Sequence, residues 1–136
     1  MAFAACSDAT APTKVDPVGD YALQSINAHP MPFLLIDVLG GFQLIQLSGT
    51  MALKSDRTFV ERDSLREVTY TSSGTPKNFD YSVTITGVWE AEQDSVVMLT
   101  QTNPAGFLFG VARKMSLTLT YLSSQDSTFT MVYQKK

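Results

Sequence analysis

The stretch FDYSVTIT at Phe79–Thr86 alternates apolar and polar side chains without a break. Phe79, Tyr81, Val83 and Ile85 fall on one parity, and Asp80, Ser82, Thr84 and Thr86 on the other. Successive side chains of an extended strand point to opposite faces, so this stretch is a strand with one buried and one wet face. An α-helix would scatter the same four apolar residues around its circumference. The pattern returns at Met115–Tyr121 (MSLTLTY) and nearly so at Phe129–Tyr133 (FTMVY). Strands wetted on one face belong to antiparallel sheets. No segment carries a helical repeat of ordinary length.

Working outward, turn residues interrupt the alternation at Asn27–Pro32, Gly40-Gly41, Ser55–Arg57, Ser72–Asn78, Glu92–Asp94, Thr102–Gly106 and Ser123–Asp126. Gly supplies positive φ, Pro fixes φ, and Asn or Asp bonds to its own turn. The runs between them predict strands at Asp20–Ile26, Phe33–Val38, Phe42–Lys54, Thr58–Thr71, Phe79–Ala91, Ser95–Gln101, Phe107–Thr120 and Thr128–Gln134. Short connections make a meander, and a meander of about eight strands loses its open edges by closing into an up-and-down barrel. Tyr81, Val83, Ile85, Leu117, Leu119 and Met131 are expected inside, with Thr84 and Thr118 outside. Gly49, Gly87 and Gly110 lie mid-strand, where a bulge or a close approach of backbones uses them.

The composition agrees with one globular domain. The 136 residues are 44% hydrophobic and 17% charged, with a net charge of −3. That balance excludes a nucleic-acid binder, which needs a basic face. Sparse charge with many Thr and Ser suits strands whose outer faces carry hydroxyls. No apolar run approaches the roughly 20 residues of a membrane-spanning helix.

Four stretches, GDYALQSINAHPMP (Gly19–Pro32), SGTMALKSDRTF (Ser48–Phe59), GVWEAEQDSVVML (Gly87–Leu99) and FTMVYQK (Phe129–Lys135), occur in an order that resembles small bacterial lipocalin-like lipoproteins. In these a Gly-x-Tyr/Trp opens the first strand, an Asn-Gly turn follows, and a second Gly-x-Trp/Tyr begins a central strand. Here Asn27-Ala28-His29 departs from the Asn-Gly turn. The resemblance implies an up-and-down barrel exported from the cytoplasm. It implies no single activity.

The lone cysteine, Cys6, follows Phe3-Ala4-Ala5 in a pattern similar to a lipobox, where a peptidase cuts before a lipidated cysteine. On this reading residues 1–5 are the remnant of a signal peptide. Residues 6–18 are the lipidated Cys6 and a polar tether, and 19–136 are the barrel. The domain is then periplasmic or on the cell surface, held to the membrane by its N-terminal lipid.

Few residues offer chemistry. His29 is the one histidine, beside Pro30 in a turn, with no nucleophile paired to it in sequence; a surface role is expected. A single His and a single Cys leave no metal site, and no cofactor is implied. Glu61, Asp63 and Glu67 interleave with Arg62 and Arg66. Paired carboxyls in a cleft do acid–base work when held about 5–10 Å apart, but the mixed signs favour a solvated rim with local ion pairs. Glu90 and Glu92 are expected to face water, opposite in parity to Trp89. No catalytic residue is expected.

Tyr21, Tyr81, Trp89, Tyr121 and Tyr133 fall on inward parities. They either fill the barrel, the favoured expectation, or line a cavity for a small hydrophobic ligand. Pro32–Phe42 (PFLLIDVLGGF) and Gly106–Ala112 (GFLFGVA) are apolar on both parities, so one face of each should look outward. Phe33, Leu35 and Leu108 are assigned to that outward surface, where they would meet a partner or a covering loop. The expectation is a non-catalytic, membrane-tethered accessory or scaffold subunit of an envelope complex, such as a photosynthetic or respiratory assembly. The alternative is a lipocalin-like carrier of a hydrophobic small molecule.

Overall fold

The computed structural model describes residues 14–92, 95–102, 104–122 and 128–136. Cys6 and most of the proposed tether therefore lie outside the described residues. The strands are β1 (Gly19–Ile26), β2 (His29–Pro30), β3 (Phe33–Val38), β4 (Phe42–Leu53), β5 (Thr58–Tyr70), β6 (Pro76–Glu92), β7 (Val96–Thr102), β8 (Ala105–Ala112), β9 (Ser116–Leu122) and β10 (Thr128–Lys135). The chain is all-β, and eight strands close an antiparallel barrel. β1 and β4 to β10 form the ring in chain order, sealed where Gly19–Ala22 of β1 pairs with Thr50–Leu53 of β4.

The expected number of strands is met with a different membership. β3 is not in the ring; it pairs only with Phe42–Gln46 of β4. The run predicted as one strand at Phe107–Thr120 is two, β8 and β9, broken at Arg113. There the Arg113 N–H donates to the Ser116 carbonyl at 2.7 Å, closing a tight turn that no Gly, Pro or Asn announces.

β5 and β6 pair along their whole length, from Thr58 opposite Val88 to Tyr70 opposite Pro76. β7 covers only Gly87–Glu92 of β6. The hairpin thus runs past the barrel rim, flanked by β3 and the first half of β4, as an apron whose inner face continues the barrel interior. Residues directly opposite in an antiparallel pair share a face, which puts Ile36, Leu44, Leu65, Phe79 and Tyr81 on that inner face. Phe79 and Tyr81 stack there, with ring centroids 5.8 Å apart.

One end of the barrel is packed shut. Tyr21, Leu53, Phe59, Trp89, Val97, Leu99 and Leu117 are buried together, with Val15 and Val18 of the incoming chain against them. The polar tips are satisfied: Trp89 Nε1 donates to the Lys54 carbonyl at 2.9 Å, and the Tyr21 hydroxyl to the Pro17 carbonyl at 2.7 Å. Two cations lie over these rings, Arg57 at 4.4 Å from Trp89 and Lys135 at 5.7 Å from Tyr21. Two mid-strand glycines let neighbouring strands coil closely. A Cβ at Gly110 would overlap the Thr118 carbonyl, and one at Gly87 the Thr100 carbonyl and the Phe59 ring.

Leu117 and Leu119 are fully buried, while Tyr81, Val83, Ile85 and Met131 are half-buried on the same inward side; Thr84 is exposed. The turn that departs from Asn-Gly keeps the Asn-Gly backbone. Asn27 and Ala28 have φ of 50° and 65°, the two positive values that a two-residue hairpin turn requires. Asn27 offsets the strain at Ala28 by two bonds to β10: its N–H donates to the Thr130 carbonyl at 2.8 Å, and its Oδ1 accepts the Thr130 N–H at 2.8 Å.

Candidate functional site: an open cavity in the barrel mouth

The other end of the barrel is not filled. A cavity of about 250 Å³ opens there, lined by Ile26, Leu35, Ile85, Leu108, Phe129 and Met131 among others, with Gln46, Glu61 and Gln101 as its polar groups. Each lining strand contributes by its parity: Ile26 faces Met131 across β1–β10, and Leu108 faces Tyr121 across β8–β9. The expectation of a barrel filled throughout is corrected here. Tyr21, Phe59 and Trp89 fill the closed end, whereas the side chains around the mouth, Phe129 and Tyr121 among them, do not meet across it.

Leu35 reaches the cavity because β3 bulges. The register shifts between Leu34 and Ile36, so Asp37 and Phe33 lie on opposite faces although their spacing is even. Phe33 and Leu35 pack toward the core instead of outward, and Phe33 meets Phe129 edge-on at 6.5 Å. Leu108 is 2% exposed, while Phe107 beside it is 71% exposed. The outward assignment of Phe33, Leu35 and Leu108 is therefore reversed, because one bulge and the missed β8–β9 turn altered the parity. The outward apolar strip is instead formed by Phe107, Phe109 and Val111 of β8 with Met98 of β7 opposite Phe109.

Of the five inward aromatics, Tyr21, Trp89 and Tyr133 are buried, Tyr81 lies on the inner face of the apron, and Tyr121 lines the cavity. His29 is exposed on β2, its ring tilted against Phe33 at 6.1 Å. Glu90 and Glu92 are exposed.

The cavity floor carries an acid that the sequence reading placed in water. Glu61 is 4% exposed, and Tyr133 donates its hydroxyl to Glu61 Oε1 at 2.8 Å. Asp63, two residues nearer the mouth on the same face, accepts from Gln46 Nε2 at 2.8 Å. Gly49 opposite it makes the room, since a Cβ there would come within 2.7 Å of Asp63 Oδ1. The rim ion pairs expected for this segment reduce to Arg66 with Asp80, on the outer face at 2.6 Å. What misled was the sign alternation of Glu61-Arg62-Asp63. The arginine faces out and the two acids face in, so neighbours in sequence are not neighbours in space.

Burial raises the Glu61 carboxyl above its ordinary range, against the pull of the Tyr133 hydrogen bond. Burial, then the charge of Glu61, pushes Asp63 up to about 7, against the Gln46 bond. Burial beside the two acids holds the Tyr133 phenol protonated well above its usual range. Desolvation is the dominant cause throughout. No group of three or more His, Cys, Asp or Glu side chains suited to a metal occurs among the described residues.

No family model, curated protein or solved structure matches the chain.

An open apolar cavity with a carboxyl at its floor has the room and the polarity to hold a small molecule. Only Glu61 of the two acids borders the cavity, and Asp63 is occupied by Gln46. A larger groove of about 520 Å³ lies at the closed end, along Lys14–Val18 and Arg57. Among the described residues it holds no buried charged side chain.

Proposed function

We propose that the domain is a non-catalytic binding protein that holds a small amphiphilic molecule in the barrel mouth. The observation that carries this reading is the open apolar cavity with a single buried carboxyl at its floor. Apolar walls with few convergent polar groups are the common form of a ligand site. At about 250 Å³ the cavity is slightly smaller than the roughly 300–1,000 Å³ usual for drug-sized ligands. It suits a short molecule, or the head and first carbons of a longer one. Leu35 of β3 and Ile85 of β6 line it, and both strands continue into the apron. A tail leaving the mouth would therefore meet the apolar inner face at Ile36, Leu65 and Phe79.

The test is fluorescence titration of the full chain with N-phenyl-1-naphthylamine, a neutral apolar probe. Saturable, one-to-one enhancement is expected. Leu35→Trp and Ile85→Trp, which fill the cavity from two walls, should each weaken binding about tenfold or more, the loss of about 1.4 kcal/mol. Binding that is absent, or unchanged in both variants with native circular dichroism, would reject the site.

The reading extends to place and anchor: a lipocalin-like lipoprotein, tethered by lipid on Cys6 outside the cytoplasmic membrane. Its support is the Phe3–Cys6 pattern alone. Intact mass of the protein from the membrane fraction should show a diacylglyceryl-type addition at a new N-terminus, and an unmodified thiol would refute it. A second reading, the accessory or scaffold subunit of an envelope complex, is favoured by the outward strip of Met98, Phe107, Phe109 and Val111. Contiguous exposed apolar side chains of that kind mark contact surfaces.

A further inference from the structure

The cavity lining has a sign. Among the described residues it contains one carboxyl, Glu61, two amides, and no Lys, Arg or His. The one side-chain hydrogen bond of Glu61 among the described residues is taken through Oε1. No fully buried side-chain oxygen or nitrogen among those residues lacks a partner, so Oε2 reaches the accessible space of the cavity. Asp63 adds a second acid on the same inward face, and Met51 and Ile85, opposite Glu61 on β4 and β6, bring no charge.

A buried carboxylate without a cation is costly, and a protein usually supplies the cation itself. Here the protein supplies only the Tyr133 hydroxyl. We propose that the preferred occupant carries a protonated amine head, which pairs with Glu61 at the cavity floor while its alkyl tail lies toward the mouth and the apron. This rests on the cavity reading above and names its ligand class. A carboxylate head, as in a fatty acid, would face Glu61 and Asp63 with like charge and is disfavoured. A neutral alcohol lies between.

Protons balance simply. The ammonium brings its own proton, and Glu61, where protonated, releases one to solvent as the pair forms. Amine affinity therefore rises with pH through the titration of the two acids. The other ionisable groups near them are Tyr133 on β10, which burial beside the two acids keeps protonated, and Tyr121 at the cavity wall.

Isothermal titration calorimetry of the full chain with decylamine, decanol and decanoate at pH 7, below their aggregation thresholds, tests this. Decylamine should bind about tenfold or more tightly than decanoate, a difference of one decade in Kd. Its heat alone should vary with the ionisation enthalpy of the buffer, reporting the released proton. Glu61→Gln should bring decylamine to within about threefold of decanol without weakening decanol. If that variant loses native circular dichroism, Asp63→Asn provides the second arm, with a several-fold fall in the amine-to-carboxylate ratio. Decanoate binding as tightly as decylamine, or a ratio unchanged in both variants, overturns the proposal while the cavity reading stands. If none of the three binds, the cavity reading fails and takes this proposal with it.

Discussion

Trp89→Ala is expected to lose about 3–5 kcal/mol of stability, the usual cost of truncating a buried aromatic side chain to alanine. Trp89 is 2% exposed and packs in the closed end with Tyr21, Leu53, Phe59 and Leu99. Its indole N–H holds the Lys54 carbonyl, and its backbone N–H holds the Arg57 carbonyl at 2.8 Å. The β4–β5 turn is thus tied to β6 through one residue. Arg57 in that turn has a φ of 68° and lays its guanidinium over the ring. Removing the ring leaves a cavity, an unpaired carbonyl and a strained turn with nothing to rest on. Against the typical 5–15 kcal/mol of a whole domain, about a fifth or more of the stability would go. Trp89→Phe keeps most of the volume and should cost about 1–3 kcal/mol for the lost hydrogen bond. Urea denaturation of both variants near pH 6 measures this. A cost below about 1 kcal/mol for the alanine variant would mean that the closed end is not packed as described.

The second large effect is on pH. Asp63 titrates up to about 7 in the fold, whereas an unfolded aspartate titrates at about 3.9. Between those values the folded state binds more protons than the unfolded one, so stability falls as pH rises through that window and levels off above it. Glu61 is shifted the same way by burial and adds to the fall, the two acids titrating as a pair. At about 1.36 kcal/mol per unit, the loss from pH 4.5 to 8 is on the order of 2–4 kcal/mol. Two exposed carboxyls act oppositely: Asp80, lowered by Arg66, and Asp56, lowered by Thr58, contribute stability that is lost as pH falls through their own titrations. Maximum stability is therefore expected near pH 4–5. Thermal unfolding from pH 4 to 8 should show the decline, and Asp63→Asn should flatten it. A profile that rises from pH 5 to 8 would place the two acids in water after all.

How much of this was legible in the sequence follows from the range of each cue. Alternation is local and strong, and it assigned Leu117 and Leu119 to the interior and Thr84 to the outside without ambiguity. Barrel closure followed from the short turns. What alternation does not carry is register across an irregularity. The bulge at Leu35 and the turn at Arg113–Met115 each shifted parity, and with it the assignments of Phe33, Leu35 and Leu108. The bulge lies in a segment apolar on both faces, where no polar residue marks the change, and at the turn Arg113 and Lys114 interrupt the run without a Gly, Pro or Asn. The buried acid was hidden differently. Glu61-Arg62-Asp63 alternates in charge, which on a strand separates the signs onto two faces instead of pairing them. Read with period two, Phe59, Glu61, Asp63 and Leu65 already form one inward row, and that row was the available signal. The cavity itself was not legible, because it depends on side chains from nine strands failing to meet.

The central claim is that an amphiphile enters the mouth and does not merely adhere to the apolar outer strip. Methyl-resolved NMR of the full chain titrated with decanol tests this most directly. The account predicts saturable shifts at Ile26, Leu35, Ile85, Leu108 and Met131, with little change at Met98 and Val111. Shifts confined to Met98 and Val111, or none at any methyl, would contradict it.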